Sequence, residues 1–283
     1  NQVFIGNISP YELKEVPQPW YGNPVNQSKE GKYGEIIPEE EFYAALKIAD
    51  SFKLVELEQE FSSQIKNILA PKKIFNEKQL ELLDKGSEKS YIENLVNSGK
   101  AEGLYKNNQL VGCIREAHEI DPNLSAHVMF ENLVCKASGV LALKVLLQKN
   151  NLDPKMVDYI IETSEEAIGD MNQRGGGNLA KAVGEIAECI NATGVDMRAF
   201  CAGPAHGLLT AAALVQSGIF QNVVVMAGGS SAKLGMNSRD HVAKNMPVLE
   251  DMVGGYAILI SANDGINPQI RTDIVGKHKI SSG

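Results

Sequence analysis

The sequence predicts an α/β fold, and three observations carry that prediction. From residue 128 onwards, short apolar runs of strand length alternate with longer apolar runs at helical spacing. Glycine and polar residues separate these runs, as they do between the strands and helices of a parallel sheet. Hydrophobic residues make up 43% of the 283 positions, which is enough for a sizeable core. Such alternation typically builds a mostly parallel sheet with helices on both faces.

The first 38 residues differ from this pattern because they hold five of the eleven prolines. After a short strand predicted over residues 3–5, they are expected to form an irregular arm along the surface. Trp20, the only tryptophan, lies in this arm, where it can either pin the arm to the body or bind a partner. We therefore assign residues 1–38 as a Pro-rich arm.

Residues 39–108 predict an insertion made of helices. Apolar side chains recur mainly at helical spacing between residues 39 and 69, and Pro71 ends that run. Asn76 and Gln79 then have the spacing of a capping box at the start of another short helix. These helices are expected to decorate the core rather than to form it.

The core is expected to span residues 109–283 and to begin with a strand over residues 109–116. A long helix follows and ends near residue 149, and Pro154 suits the first position of a brief helical turn. Residues 159–162 then predict a short buried strand.

Two more helices alternate with strands after a glycine-rich loop. Asn178 is expected to cap a helix whose apolar face ends at Ile190, and Gly194 is expected to close that helix. A strand over residues 197–200 then leads into a helix that ends at Gly218. Further strands are predicted over residues 223–227 and 256–261.

Cys201 lies where the strand over residues 197–200 meets the following helix. Unpaired backbone N–H groups and the positive end of the helix dipole favour a thiolate there, so the sulfur is expected to be nucleophilic. The same N–H groups can receive the oxyanion of an acyl adduct, and Ala202 and Gly203 leave room for an acyl group. A small buried cysteine at a tight junction is the alternative. The sequence thus points toward thioester chemistry.

Composition argues against several other classes of protein. The net charge of -8 argues against binding to nucleic acid, since contacts to phosphates need clustered Lys and Arg. No apolar run reaches the ~20 residues that span a bilayer. The four cysteines lack metal or disulfide spacing, so no metal site is expected, and Cys135 and Cys189 are expected in the core. Without a signal pattern the chain is expected in the cytoplasm. Its missing initiator Met indicates a piece of a longer polypeptide.

Four segments resemble the thiolase superfamily, and the ketoacyl synthase III branch in particular. Residues 114–118 hold an arginine ahead of the first long helix, and residues 151–163 hold a helix, a strand and a Thr-Ser loop. Residues 200–203, Phe-Cys-Ala-Gly, resemble the nucleophile motif, and residues 250–259 resemble an acidic, diglycine strand entry. The resemblance implies a thiolase-like layered α/β fold, mostly the N-terminal βαβαβ half, with a helical insertion.

The same resemblance implies roles for individual residues. Cys201 becomes the acyl-accepting nucleophile, with its own backbone N–H in the oxyanion hole. Residues 165–177 would reach across a dimer, and the strand over residues 197–200 would pair with its symmetry mate in a homodimer. Family members carry the catalytic His, with its His or Asn partner, in a second half that is absent here. No general base is therefore assigned from the family.

Three features resemble a narrower group, the β subunits of component C in glycine, sarcosine and betaine reductase complexes. They are the Pro-rich arm, the insertion and the string Cys-Ala-Gly-Pro-Ala-His-Gly that begins at residue 201. Such a subunit works beside an α subunit that resembles phosphate acyltransferases and beside the selenoprotein component A. The resemblance implies that a carboxymethyl group on the selenoprotein becomes an acetyl thioester, which phosphate cleaves to acetyl phosphate. It implies these reactants and no tightly bound cofactor.

Two further sets of residues are candidates for the site. His206 lies five positions after Cys201, a spacing that rotates it away from the sulfur on a helix unless Pro204 delays the helix. A pocket-lining or structural role is the alternative to a base. Arg174, with Gly175, Gly176 and Gly177, precedes a helix and could bind an anion through exposed N–H groups. A flexible loop that crosses a dimer explains the glycines equally well.

Two other functions stay open at the level of sequence. The first is a ketoacyl synthase III-type enzyme that condenses coenzyme A thioesters, which requires a second half with a base that faces Cys201. The second is a thiolase-like scaffold subunit without catalysis, which the absence of a visible base allows.

Overall fold

The computed structural model describes residues 9–17, 29–31, 34–164, 178–230, 243 and 253–276. The strand expected over residues 3–5 and the side chain of Trp20 lie outside these residues, as does most of the Pro-rich arm. Within the described part, the chain begins with three short elements: α1 (Pro10–Leu13), β1 (Glu30–Gly31) and β2 (Gly34–Glu35).

The next segment contains the expected helices, but it also contains strands. Asn76 caps its short helix as predicted, because the Asn76 side chain accepts from the Gln79 backbone N–H at 2.9 Å. The Gln79 side chain accepts from the Asn76 N–H at 3.2 Å, which completes the capping box. The elements are α2 (Glu39–Ala49), β3 (Val55–Leu57), α3 (Gln59–Leu69), α4 (Glu77–Leu80), α5 (Lys89–Asn97), β4 (Ala101–Lys106) and β5 (Gln109–Arg115).

Strands β3, β5 and β4 form a separate antiparallel sheet in that order. Asn107 and Asn108 connect β4 to β5, and both have positive φ angles, 50° and 63°, as a tight hairpin turn requires. The boundary expected at residue 109 therefore falls inside this hairpin. The strand expected to open the core belongs to the smaller sheet, because it pairs with β4 and β3. The division of the chain into an arm, an insertion and a core stays a prediction.

The larger sheet contains the predicted βαβαβ run. Its strands are β6 (Tyr159–Glu162), β7 (Thr193–Asp196), β8 (Val223–Ser230) and β9 (Val253–Ile260). They lie in the order β7-β6-β8-β9, with β6 parallel to both of its neighbours and β9 antiparallel to β8. The mixed α/β architecture predicted from the sequence is confirmed.

Helices cover both faces of this sheet. Two of them, α6 (Ala126–Lys149) and α7 (Leu179–Ile186), share a buried cluster with Ile160, Val224 and Met226. The third, α8 (Gly203–Gln216), packs instead with Ile161 and Val225. Since successive strand residues point to opposite faces, α8 lies on the face opposite α6 and α7.

The strand expected over residues 197–200 is wrong. Strand β7 ends at Asp196, which pairs with Glu162, the last residue of β6. After a hydrogen bond from the Met197 N–H to the Glu162 carbonyl oxygen (2.8 Å), the chain pairs with no further strand among the described residues. It then forms a 3₁₀ turn over Phe200–Ala202. The predicted pairing of residues 197–200 with the same residues of a second copy therefore lacks the strand it requires. The homodimer itself stays a prediction.

Helix α7 is shorter than the apolar pattern predicts. Asn178 caps it as expected, by accepting from the Lys181 backbone N–H at 2.7 Å. The helix ends at Ile186 because Glu188 adopts a left-handed conformation (φ 67°). Ile190, predicted on its apolar face, is 70% exposed, and Gly194 lies within β7 instead of closing the helix.

Candidate functional site

The candidate site lies at the carboxyl end of the parallel strands, where β6 and β7 both end. Open α/β sheets bind ligands at this edge because the loops after the strands converge there. Cys201 lies in the 3₁₀ turn that directly precedes α8, and it is exposed. The sequence-based position of the cysteine, between a strand and a helix, is confirmed apart from the three irregular residues, 197–199, that follow β7.

Two glycines bring the start of α8 close to the end of β6. A Cβ atom at Gly203 would lie 3.1 Å from the Thr163 carbonyl oxygen. A Cβ atom at Gly207 would lie 2.8 Å from Val225 Cγ1 and 2.9 Å from Thr163 Cγ2. The first turns of α8 therefore pack against the sheet at Thr163. This contact fixes the position of the turn that carries Cys201 relative to the end of β6.

Thr163 is itself held by the neighbouring strands. Its backbone N–H and its hydroxyl both donate to the Met226 carbonyl oxygen, at 2.8 Å and 3.2 Å. The Thr163 hydroxyl also forms a hydrogen bond with the phenol of Tyr256 on β9. Burial raises the pKa of the Tyr256 phenol, so this group stays protonated near neutral pH.

A buried charged network lies beside the same junction. Arg198 Nη1 lies 2.6 Å from Glu162 Oε2, and Arg198 Nη2 lies 3.2 Å from Asp196 Oδ2. The Ser164 backbone N–H and hydroxyl both donate to Glu162 Oε1. Burial raises the pKa of the Glu162 carboxyl, whereas Arg198 and Ser164 favour its charged form.

Sequence reasoning missed Glu162, Arg198, Thr163 and Tyr256. A signal for the first two was present, since each places a charge within an apolar run. A glutamate at the end of a buried strand and an arginine just before a cysteine motif predict partners when they are taken together. Thr163 and Tyr256 carry no comparable signal in the sequence.

Of the other predicted candidates, only His206 lies within the residues that the structure describes. Helix α8 begins at Gly203 with Pro204 in its first turn, so Pro204 does not delay the helix. His206 is exposed on α8, and the arrangement gives it no support as a base. Arg174, Gly175, Gly176 and Gly177 lie outside the described residues. Among the described residues, no group of three or more His, Cys, Asp or Glu side chains could hold a metal ion.

Alkylation of the native protein is expected to label Cys201 selectively. Cys113, Cys135 and Cys189 are buried, whereas Cys201 is exposed. Burial raises the pKa of the Cys113 and Cys189 thiols to about 12, which leaves roughly one thiol in 10⁴ ionised at pH 8. Peptide mapping after iodoacetamide treatment measures the four rates, and denatured protein, in which all four react, is the control. Equal labelling of a buried cysteine in the native protein would contradict the expectation.

Comparison with known proteins agrees with this geometry. Residues 195–274, which include Cys201 and β9, match the family model of 3-oxoacyl-[acyl-carrier-protein (ACP)] synthase III. The whole chain is 52% identical to the "Glycine/sarcosine/betaine reductase complex component C subunit beta" of Peptoclostridium acidaminophilum. The chain spans 56% of the length of that relative.

Two solved structures are among those similar to part of this chain. The priming beta-ketosynthase from the R1128 polyketide pathway is 29% identical with a TM-score of 0.30. The match covers 33% of this chain and 26% of the ketosynthase chain. Cerulenin-bound OleA from Xanthomonas campestri is 13% identical with a TM-score of 0.36. The match covers 47% of this chain and 41% of the OleA chain.

The helices of the described residues include none that is both long enough and apolar enough to cross a membrane. The family model and the full-length match confirm the resemblance that the sequence predicts. Residues 195–274 are similar to 3-oxoacyl-[acyl-carrier-protein (ACP)] synthase III, and the whole chain is similar to part of a component C β subunit.

Proposed function

We propose that this chain is the part of a component C β subunit that carries the acyl-accepting nucleophile. Identity of 52% over the entire chain is the observation that carries the proposal. The exposed position of Cys201, in contrast to the three buried cysteines, supports it independently. In this role the subunit forms and transfers an acetyl thioester on the way to acetyl phosphate.

The chemistry follows from the position of Cys201 before α8. The sulfur attacks an acetyl carbonyl carbon, and the oxygen gains negative charge that backbone N–H groups near the helix start can stabilise. The tetrahedral adduct then collapses: the bond from the carbonyl carbon to the donor's leaving group breaks, that group departs with the electron pair, and an acetyl thioester remains on Cys201. Attack of a phosphate oxygen on that carbonyl breaks the carbon–sulfur bond, releases the Cys201 thiolate and yields acetyl phosphate.

The partners proposed for this reaction are those of the relative's complex. An α subunit that resembles phosphate acyltransferases would supply the phosphate-dependent step, and the selenoprotein component A would deliver the two-carbon group. The proposal places no metal ion or tightly bound cofactor on this chain. The two electrons that break the carbon–selenium bond of the carboxymethyl group would come from a thiol, with the selenium left in a selenium–sulfur bond.

The proposal is tested by mass spectrometry of the intact complex. Turnover with substrate in the absence of phosphate is expected to leave an acetyl adduct on Cys201, since the cleaving reagent is missing. Addition of phosphate is expected to remove the adduct and to release acetyl phosphate. A complex that produces acetyl phosphate while its Cys201 peptide never carries an acetyl group would contradict the proposal.

A second candidate is a condensing enzyme that uses coenzyme A thioesters. The match of residues 195–274 to 3-oxoacyl-[acyl-carrier-protein (ACP)] synthase III favours it. The full-length protein would then form a carbon–carbon bond between the acyl group on Cys201 and the deprotonated α-carbon of a second coenzyme A thioester. The Cys201 thiolate would leave, and no selenoprotein would take part. Condensation by the isolated subunit separates this candidate from the first.

A further inference from the structure

The cluster of Glu162, Arg198 and Asp196 lies where the strand leading to Cys201 ends. The side chain of Glu162 is 0% exposed and that of Arg198 is 22% exposed. Removing both charges from water costs several kcal/mol, which only good geometry and further hydrogen bonds offset. Replacing a buried ion pair with hydrophobic residues of similar volume often leaves the folded state equally stable or more stable. A contribution to fold stability alone therefore does not explain this cluster.

The cluster ties together four separate elements at one edge of the sheet. Glu162 ends β6 and Asp196 ends β7, and Arg198 bridges their carboxylates. Asp196 also accepts from the Leu179 and Ala180 backbone N–H groups, both at 2.8 Å, and so caps α7.

The cluster also reaches β8 through Ser164. The Ser164 hydroxyl accepts from the Gly228 backbone N–H at 3.0 Å and donates to Glu162. The carboxylate of Glu162 is therefore held on both sides, by the loop after β6 and by the guanidinium of Arg198. It provides a fixed point against which a neighbouring segment can be placed.

The segment held by the Glu162 carboxylate is the irregular link, residues 197–199, between β7 and the turn that contains Cys201. Two contacts hold its start, the hydrogen bond from the Met197 N–H to the Glu162 carbonyl oxygen and the Arg198 ion pair. The next backbone hydrogen bond, from Ala202 to Ala199 at 3.0 Å, closes the turn that contains Cys201. Only two residues lie between Arg198 and Cys201, so a shift at Arg198 is passed to the sulfur.

We propose that Glu162 and Arg198 are positioning residues that set the location of Cys201 relative to the start of α8. The inference rests on the proposed function, because it assumes that Cys201 is the nucleophile. The planar guanidinium contacts two carboxylates at once, a geometry that an ammonium group cannot reproduce. The shape of the Arg198 side chain, and not only its charge, therefore determines the position of the turn.

Two variants of the full-length subunit test the inference. Arg198→Lys keeps the charge but loses the fork, and Glu162→Gln keeps the shape but loses the anion. In both, the rate of Cys201 alkylation by iodoacetamide at a fixed pH is expected to fall about tenfold, because the sulfur is displaced from the N–H groups at the start of α8. In the assembled complex kcat for acetyl phosphate formation is expected to fall about 10- to 100-fold, with KM nearly unchanged.

Glu162→Gln also separates position from direct charge effects. Removal of an anion near a nucleophilic sulfur favours its attack, so a purely electrostatic role of Glu162 would make Cys201 alkylation faster in Glu162→Gln. Loss of positioning would make the alkylation slower, because the sulfur moves away from the N–H groups of the helix start. If Glu162→Gln fails to fold, Arg198→Lys carries the test alone.

The matched control is Glu41→Gln on α2. Glu41 is also a buried carboxylate, and its oxygens lie 2.6 and 2.8 Å from Lys72 Nζ. This variant is expected to lower the melting temperature but to keep the wild-type rate of Cys201 alkylation. A wild-type rate of Cys201 alkylation in Arg198→Lys, or an equal loss of rate in Glu41→Gln, would overturn this inference but not the proposed function. A wild-type Cys201 that reacts like an ordinary thiol would overturn the proposed function as well.

Discussion

Replacement of Cys201 with serine is expected to lower acetyl phosphate formation by about 10³-fold or more. A serine hydroxyl is far weaker as a nucleophile than a thiolate when no base is placed to deprotonate it, and loss of a covalent nucleophile commonly costs this much or more. The measurement is the rate of acetyl phosphate release by a complex assembled with the full-length variant subunit. The acetyl adduct at position 201 is expected to disappear at the same time.

Cys113→Ala serves as the control for this replacement. It removes a different thiol from β5, in the smaller antiparallel sheet. Its product formation is expected to stay within about twofold of wild type once the fraction of folded protein is matched. Retention of full activity by Cys201→Ser would show that the acetyl group is carried elsewhere in the complex.

The position of Cys201 at the start of a helix could be predicted from the apolar helical run that follows it, which is a local signal. The strand-like run before the cysteine, over residues 197–200, was misleading, because it forms no strand. The end of the strand could not be predicted in the same way. Strand β7 stops at Asp196 because its neighbour β6 stops at Glu162, and that register joins segments far apart in the sequence.

The smaller sheet shows a second limit of local patterns. Strand β3 has only three residues, Val55–Leu57, between two helices of eleven residues each. A strand of this length contributes one or two buried positions, which helical spacing also accommodates. Its identity comes from pairing with β5, in which Val55 lies opposite Ile114. The predicted insertion therefore had the right helices and lacked the sheet.

The charged cluster beside the site lay beyond sequence reasoning for a related reason. Glu162 and Arg198 are 36 residues apart in the chain, and neither belongs to a motif of known spacing. Only the parallel pairing of β6 with β7 brings them together. Long-range pairing of this kind is what a single sequence reveals least, although a lone charge in an apolar run indicates that a partner exists.

Gly228→Ala is expected to destabilise the fold by about 3 kcal/mol or more. A Cβ atom at this position of β8 would lie 2.2 Å from the Cys135 carbonyl oxygen and 2.5 Å from the Gly139 backbone nitrogen. Both atoms belong to the backbone of α6, so no rotamer change relieves the clash. The strand or the helix must move, and the hydrogen bond from Gly229 to the Ser138 hydroxyl (2.9 Å) is then stretched. Thermal unfolding of the full-length protein is expected to occur roughly 10 °C lower.

Gly254→Ala on the adjacent strand is the matched control. Gly254 pairs with Gly229, one position from Gly228 on β8, but a Cβ atom there would meet nothing within 4 Å. Its free energy of unfolding is expected to stay within about 0.5 kcal/mol of wild type. The two substitutions add the same methyl group to neighbouring strands, so their difference measures how closely α6 approaches the sheet. Equal melting temperatures for Gly228→Ala and wild type would mean that α6 does not pack against β8 at this distance.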